Sequence, residues 1–414
     1  MDIINEVLVD EYEILLKDEG YIKSILSKIS FYSNKKAKEL LKKVIDFAQS
    51  NSLKEAYAWG ICNLGKIYLQ EDNFKKADVL LSEAYNVFYT KKSSEGMLSA
   101  ITGLMGSKCM QQQYDIAIQL GIEGTKLAEK NNNIERLIVI KINMGAIYIE
   151  IEEYEKALDI LDQVEDITWI GEAENKVGYY INRAICKREI GDLDDALNNL
   201  QHVKEVSEDR PILKINWLIE MGKIHIKKEC YKKAEEIFYQ CLKLCDEYEA
   251  EDLTIEIILN LSEIDIIREN YMEVVSKLKN IEEDIEKVNV ISYKKIMYRN
   301  LNLGYKGLKE YENAYMYLEK YTDIEKEIRN IQSATAISIL DKQKEKMEEN
   351  NYKLLYKQNN LLYTVGQNIT SKLNQEKVFQ VIADEINKVI EYDIIQIIVY
   401  NQEKDIFVST NDNR

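Results

Sequence analysis

One proline, two histidines, six cysteines and sixteen glycines are spread over 414 residues, and each shortage excludes something. With Pro211 as the only proline and so little glycine, almost nothing punctuates strands or long loops, so the bulk of the chain is expected to be helical. The cysteines (Cys62, Cys109, Cys186, Cys230, Cys241, Cys245) are too sparse for a disulfide framework, and no two stand in C-x-x-C spacing. Only His202 and His225 are available as imidazole bases, and the chain has no Gly-rich phosphate loop, H-E-x-x-H or G-x-S-x-G. Catalysis by this chain and a bound cofactor are therefore not expected. No apolar run approaches the ~20 residues of a spanning helix. The opening MDIINEVLVDEYE is acidic from its second residue, unlike a secretory or transit signal, so the expected location is the cytoplasm, away from membrane. Cations are in deficit too: 55 Lys and Arg against 72 Asp and Glu leave a net charge of −17, which argues against nucleic acid or anionic lipid as the main partner.

What is present is a period. An aromatic or leucine, two residues, a small residue, three residues and an apolar residue recur as Phe74-x-x-Ala77-x-x-x-Leu81, Tyr114-x-x-Ala117-x-x-x-Gly121 and Tyr154-x-x-Ala157-x-x-x-Leu161. Leu193/Ala196/Leu200, Tyr231/Ala234/Phe238, Tyr271/Val274/Leu278 and Tyr311/Ala314/Leu318 continue it, and a degenerate copy sits at Ala37 and Leu41. The anchors 37, 77, 117, 157, 196, 234, 274 and 314 are 38 to 40 apart. Twelve residues before an anchor stands a second signature, as in Leu64-Gly65-x-x-Tyr68, Met144-Gly145-x-x-Tyr148 and Met221-Gly222-x-x-His225. Each unit is thus expected to be a helical hairpin, with small residues letting its helices approach and aromatics and leucines filling the seams. His225, Cys230, Cys241 and Cys245 fall within one unit, and Cys241 and Cys245 are one helical turn apart, a feasible ligand pair. His225, however, takes the place that Tyr holds in other units and Cys241 a small packing position, so no metal is expected.

At these residues the chain resembles the tetratricopeptide repeat, in which a helix with Leu-Gly-x-x-Tyr precedes a helix with Tyr-x-x-Ala-x-x-x-Phe-x-x-Ala. The resemblance covers residues 1–322, about eight hairpins, with a period nearer 40 than 34 and extra residues expected between hairpins at TKKSSEG, EKNNNIE and YEAEDLT. It resembles the arrays of bacterial signalling proteins and peptide-pheromone receptors. It implies an all-α fold, a right-handed superhelix whose concave side is lined by the first helix of each hairpin.

On that helix an asparagine recurs, at Asn63, Asn143, Asn182, Asn260 and Asn300. An amide side chain donates and accepts, so a row of them can pair with the backbone of an extended peptide without reading its sequence. Asparagine is also the commonest residue at this position of the repeat generally, whether or not it binds. Lys66, Ile142, Ile185, Lys223 and Arg299 flank the row and complete the candidate peptide- or protein-binding face. The middle of this face reads as apolar, with cations nearer its ends, so an apolar segment is expected there.

From about Asp323 the repeat gives way to one polar helix in which Leu340, Met347, Leu354 and Leu361 recur every seven residues and Lys344, Asn351 and Gln358 hold the complementary position. Residues 323–362 are read as a coiled-coil linker, with those four residues as a dimer seam, or as a single solvated helix. Beyond it lie an amphipathic helix after Asn374 and two apolar runs, IIQIIVY and IFVST, around the turn NQEKD. Residues 363–414 resemble the beginning of a GAF domain, an α+β fragment too small to bury its own apolar face. That order resembles bacterial sensors with an output enzyme, foremost a GGDEF-type diguanylate cyclase, then a histidine kinase or a phosphatase. The expectation is a binding module that passes occupancy through the linker to such a domain; the alternative is a constitutive dimerisation scaffold without a groove ligand.

Overall fold

The computed structural model describes residues 34–165, 173–207, 210–248, 250–288, 290–371, 382, 384–386, 388, 394–401 and 406–413. Trp169, the first thirty-three residues and most of the expected helix after Asn374 lie outside them. The chain divides into two compact units, Met1–Ala336 and Ile337–Arg414.

The first unit is a run of antiparallel helices. α1 (Asn34–Ser50) is followed by hairpins α2 (Lys54–Gln70) with α3 (Phe74–Lys91), α4 (Ser94–Met110) with α5 (Tyr114–Lys130), and α6 (Ile134–Glu150) with α7 (Tyr154–Asp162). Then come α8 (Ala173–Glu189) with α9 (Leu193–Ser207), α10 (Pro211–Lys227) with α11 (Tyr231–Tyr248), α12 (Glu251–Ile267) with α13 (Tyr271–Lys287), and α14 (Ile291–Gly307) with α15 (Tyr311–Ser371).

The repeated anchors are the floor of this packing. Ala77, Ala117, Ala157, Ala196, Ala234 and Val274 are fully enclosed, as are Leu81, Leu161, Leu200, Phe238 and Leu278 four residues on. The small residues of the preceding helix exist for these side chains: a Cβ on Gly65 would lie 2.9 Å from Leu81, and one on Gly222 would lie 2.6 Å from Phe238. Trp59 packs edge-on against Phe88 at 4.9 Å, and Trp217 donates its indole N–H to the Leu200 carbonyl at 2.9 Å, so both are seam residues. Cys241 and Cys245 are buried among them, and burial pushes the Cys241 thiol up to about 12. Among the described residues no group of three His, Cys, Asp or Glu could hold a metal.

The extra length of each unit lies elsewhere than expected. TKKSSEG is the end of α3, two turn residues and the start of α4, and EKNNNIE likewise spans only three turn residues. The period is long because most helices have 17 residues, and the connections at these two sequences are as short as the turn inside a hairpin, whereas ten residues separate α7 from α8. Ten turns share one geometry. Ser52, Asp72, Lys92, Gln112, Asn132, Glu152, Gly191, Glu229, Glu269 and Lys309 take positive φ, and the next residue donates its N–H back into the ending helix. Asn73 to Tyr68 at 2.8 Å and Glu153 to Tyr148 at 2.9 Å show the pattern, which closes the orphaned carbonyls of a helix end. Nine of these ten residues carry a side chain, so the turns escape notice in a sequence searched for glycine.

α15 is 61 residues long and runs without a break through position 322, where the linker was expected to begin. Its first turns complete the last hairpin. In the second unit, Leu340, Met347 and Leu354 are 63%, 67% and 56% exposed, and Leu361 is half-buried. β1 (Ile394–Asn401) and β2 (Ile406–Asn413) pair antiparallel, with Ile397 opposite Thr410 and Val399 opposite Val408. No helix among the described residues is long and apolar enough to cross a membrane.

Candidate functional site

Successive first helices of the hairpins, α2, α4, α6, α8, α10, α12 and α14, pack directly on one another, whereas the second helices stand further apart. The first helices therefore form the inner, concave layer, and the asparagine register runs across it at 63, 103, 143, 182, 220, 260 and 300.

Most of the expected ligand contacts are spent on holding these helices together. Asn182 donates across from α8 to the Ile142 carbonyl of α6 at 3.2 Å. Asn300 is fully enclosed and donates to Ser262 Oγ of α12 at 2.9 Å, so it presents nothing to a groove. Asn63 and Asn260 donate to carbonyls of their own helices, Trp59 at 2.9 Å and Glu256 at 2.7 Å, and Asn260 is 9% exposed. Lys66 Nζ reaches Ser99 Oγ of α4 at 2.9 Å, and burial holds its ammonium below the usual lysine range, with Arg136 adding and Cys62 opposing. Arg299, exposed, pairs with Glu263 at 3.2 Å. Ile142 is 7% exposed and Ile185 half-buried. Asn143 differs from the rest of the row: it is half-buried, and among the described residues its side chain makes no hydrogen bond.

The expected apolar middle is a correction. Where the asparagine register crosses α10 it carries Glu220, and Glu220 is the hub of a charged chain over four inner helices. Arg188 of α8 pairs with Glu220 at 3.2 Å, Lys223 with Glu220 at 2.7 Å and with Glu256 of α12 at 2.5 Å, and the Tyr293 hydroxyl of α14 donates to Glu256 at 3.2 Å. Burial opposes ionisation here, and the partners win: Arg188 and Lys223 hold the Glu220 carboxyl below its usual range, and Glu220 and Glu256 hold Lys223 above its own. Glu150, at the end of α6, stands outside this compensation. Its side chain reaches solvent, yet loss of bulk water on the inner face, and then Glu256, hold its carboxyl above the usual range against the pull of Lys223. Among the described residues it makes no hydrogen bond or ion pair. Arg188, Glu220, Glu256, Glu150 and Tyr293 were missed because they sit on no single repeat register; only Glu220 could have been found, as the acidic occupant of an asparagine position.

No known family profile matches the chain, and no curated protein does. Among solved structures, a Rap protein complexed with Competence and Sporulation Factor superposes with a TM-score of 0.54 at 15% identity, covering 79% of this chain and 99% of the other. A tetratricopeptide repeat protein from Parabacteroides merdae gives 0.45 at 13% identity over 67% of this chain and 98% of its own. The first likeness is the one that carries the fold: the chain is similar to that Rap protein as a helical repeat array.

Proposed function

We propose that the array binds an extended peptide or protein segment along its inner face. The observation that supports this best is on α6. Asn143 has both amide functions free and Glu150, two turns further along the same face, is an uncompensated carboxylate opposite the Lys223–Glu256 pair. A backbone amide of the segment would bridge to Asn143 and a positive group of the segment would settle against Glu150. The fold likeness to a Rap protein solved with Competence and Sporulation Factor agrees with this use of the face. As regulation, occupancy is read out through α15, which leaves the last hairpin as a continuous helix, into a domain that begins at residues 363–414 and resembles GAF.

The test is selection of peptides from a displayed random library on the full chain, followed by affinity measurement on Asn143→Ala with Glu150→Gln. Loss of one hydrogen bond and one charge contact at about 1 kcal/mol each weakens binding on the order of 30-fold. Unchanged affinity in that variant refutes the groove. The exposed heptad residues Leu340, Met347 and Leu354 favour a second reading, a constitutive dimer scaffold. It predicts that no peptide is enriched and that the chain sediments as a concentration-dependent dimer.

A further inference from the structure

The array meets itself. Lys295 of α14 pairs with Glu152 of the α6–α7 turn at 2.7 Å, across 143 residues of sequence, and with Glu325 of α15 at 2.9 Å. Two helical turns beyond Glu325, Gln332 of α15 donates to the Ile151 carbonyl at 2.8 Å, at the C-terminal cap of α6. Between and after them Ile328 and Thr335 are 7% and 4% exposed, so residues 325, 328, 332 and 335 form one face of α15 laid against the body of the array. Glu152 is one of the left-handed turn residues, with φ 57°. Tyr114 of α5 lies beside the same contact: burial, then Glu150, Cys109 and Glu327 of α15 together raise its hydroxyl. The free carboxylate of the inner face and the crossing helix are therefore neighbours.

We infer that residues 325–335 of α15 are a latch that closes the hairpins from α6 to α14 into a ring, fixing the width of the inner face by an ion-pair triad and one side-chain cap. Among the described residues the helices from α7 to α13 make their main contacts within their own hairpin and with the adjoining one, so their stack has a soft pitch unless its ends are tied. The tie is largely electrostatic: a lysine shared between two carboxylates, one glutamine and a single enclosed isoleucine. It is thus weak enough to open without unfolding a hairpin, and it is carried by the helix that continues to Ser371. This inference stands apart from the peptide reading, since it concerns the unliganded chain.

The experiment places spin labels at Asp159→Cys on α7 and Asn330→Cys on α15, both exposed positions, with exposed Cys230 and half-buried Cys109 replaced by serine, and measures the distance between the labels. The unaltered latch gives one narrow distance. Lys295→Gln with Gln332→Ala broadens and lengthens it. Raising ionic strength from about 0.1 M to about 1 M, which cuts the Debye length from about 10 Å to about 3 Å, moves the parent the same way and leaves the variant unmoved. Lys326→Gln, whose partner Asp323 lies on α15 itself, removes an equal charge and keeps the narrow distance. Circular dichroism verifies that helix content is kept; if the double variant loses it, Lys295→Gln alone, with Gln332 and Ile328 in place, carries the test. A narrow distance in the latch variant, or one in the parent indifferent to salt, overturns the inference.

Discussion

Replacing Lys223 by methionine removes the cation shared by Glu220 and Glu256 on the inner face while keeping most of the side chain's volume. Lys223 is 17% exposed, Glu220 7% and Glu256 21%, so none of the three has water enough to replace the lost partner. Taking one member from a buried pair costs ~3–5 kcal/mol when the remaining charge has no other partner. Here Glu220 keeps Arg188 at 3.2 Å and Glu256 keeps the Tyr293 hydroxyl at 3.2 Å, which brings the expected loss to about 2–3 kcal/mol at pH 7.5. The sign with pH follows from Glu220, whose carboxyl Arg188 and Lys223 together hold below its usual range. The share Lys223 contributes is stability present above the unfolded value near 4.3 and lost as pH falls through the lower folded value, so the penalty of the variant is full at pH 7.5 and fades only as pH falls through the carboxylate range. At pH 3.5 the loss is therefore smaller than at pH 7.5, by up to about 1 kcal/mol. Urea denaturation measures it, because guanidinium would screen the charges, and amide exchange in α10 and α12 localises it, since a repeat array need not unfold in one step. Lys223→Met with Glu256→Gln should recover part of the loss. An equal loss at both pH values would mean that the methylenes of Lys223, and not its charge, hold these helices, and the electrostatic account of the inner face would fall.

Gly222→Ala should cost about 1–3 kcal/mol by overpacking, because the new methyl would lie 2.6 Å from the ring of fully enclosed Phe238. Gly178→Ala, whose nearest neighbour is Ile142 at 3.4 Å, should instead stabilise by about 0.5–1 kcal/mol through helix propensity. A destabilised Gly178→Ala in urea unfolding would undo the claim that only the seam glycines are there for lack of space. Lys92→Gly at the α3–α4 turn, exposed and at φ 57°, should raise the urea midpoint by an amount equivalent to at most about 1 kcal/mol, the relief of left-handed strain less the entropy glycine adds to the unfolded chain. A lowered midpoint would show that the lysine side chain contributes more at that turn than its backbone strain costs.

The hairpin array was legible because its constraint is steric and strictly periodic. Ala77 and its counterparts face a second helix at a distance only a small side chain allows, so the residue type repeats wherever the geometry does. The turns were legible in position and illegible in kind. Their left-handed residue is required by the 6→1 bond that ends each helix, but Asp72, Gln112 or Glu269 can adopt it at modest cost, and the backbone, not a glycine, carries the signal. The β pairing at 394–413 followed from the alternation of two apolar runs around a polar turn.

The inner face failed to show itself for an instructive reason. A repeat register marks residues that do the same job in every hairpin, and on this face the repeated job is structural: Lys66, Asn182, Arg299 and Asn300 each bridge to the neighbouring inner helix or to its backbone. A binding site along such an array must be made where the repetition lapses, because identical hairpins offer identical surfaces. Here it lapses at α10, where Glu220 replaces the asparagine, and at α6, where Asn143 bonds to nothing and Glu150 has no counter-ion. The charged chain from Arg188 to Tyr293 compensates every carboxylate it passes and stops short of Glu150. A carboxylate without a counter-ion, set beside Glu256 on the inner face, costs the free protein some stability even though it reaches solvent, and a positive group brought by a partner would relieve that cost. Glu150→Gln should therefore do two opposite things together, making the free chain more stable at neutral pH and weakening its hold on a cationic segment.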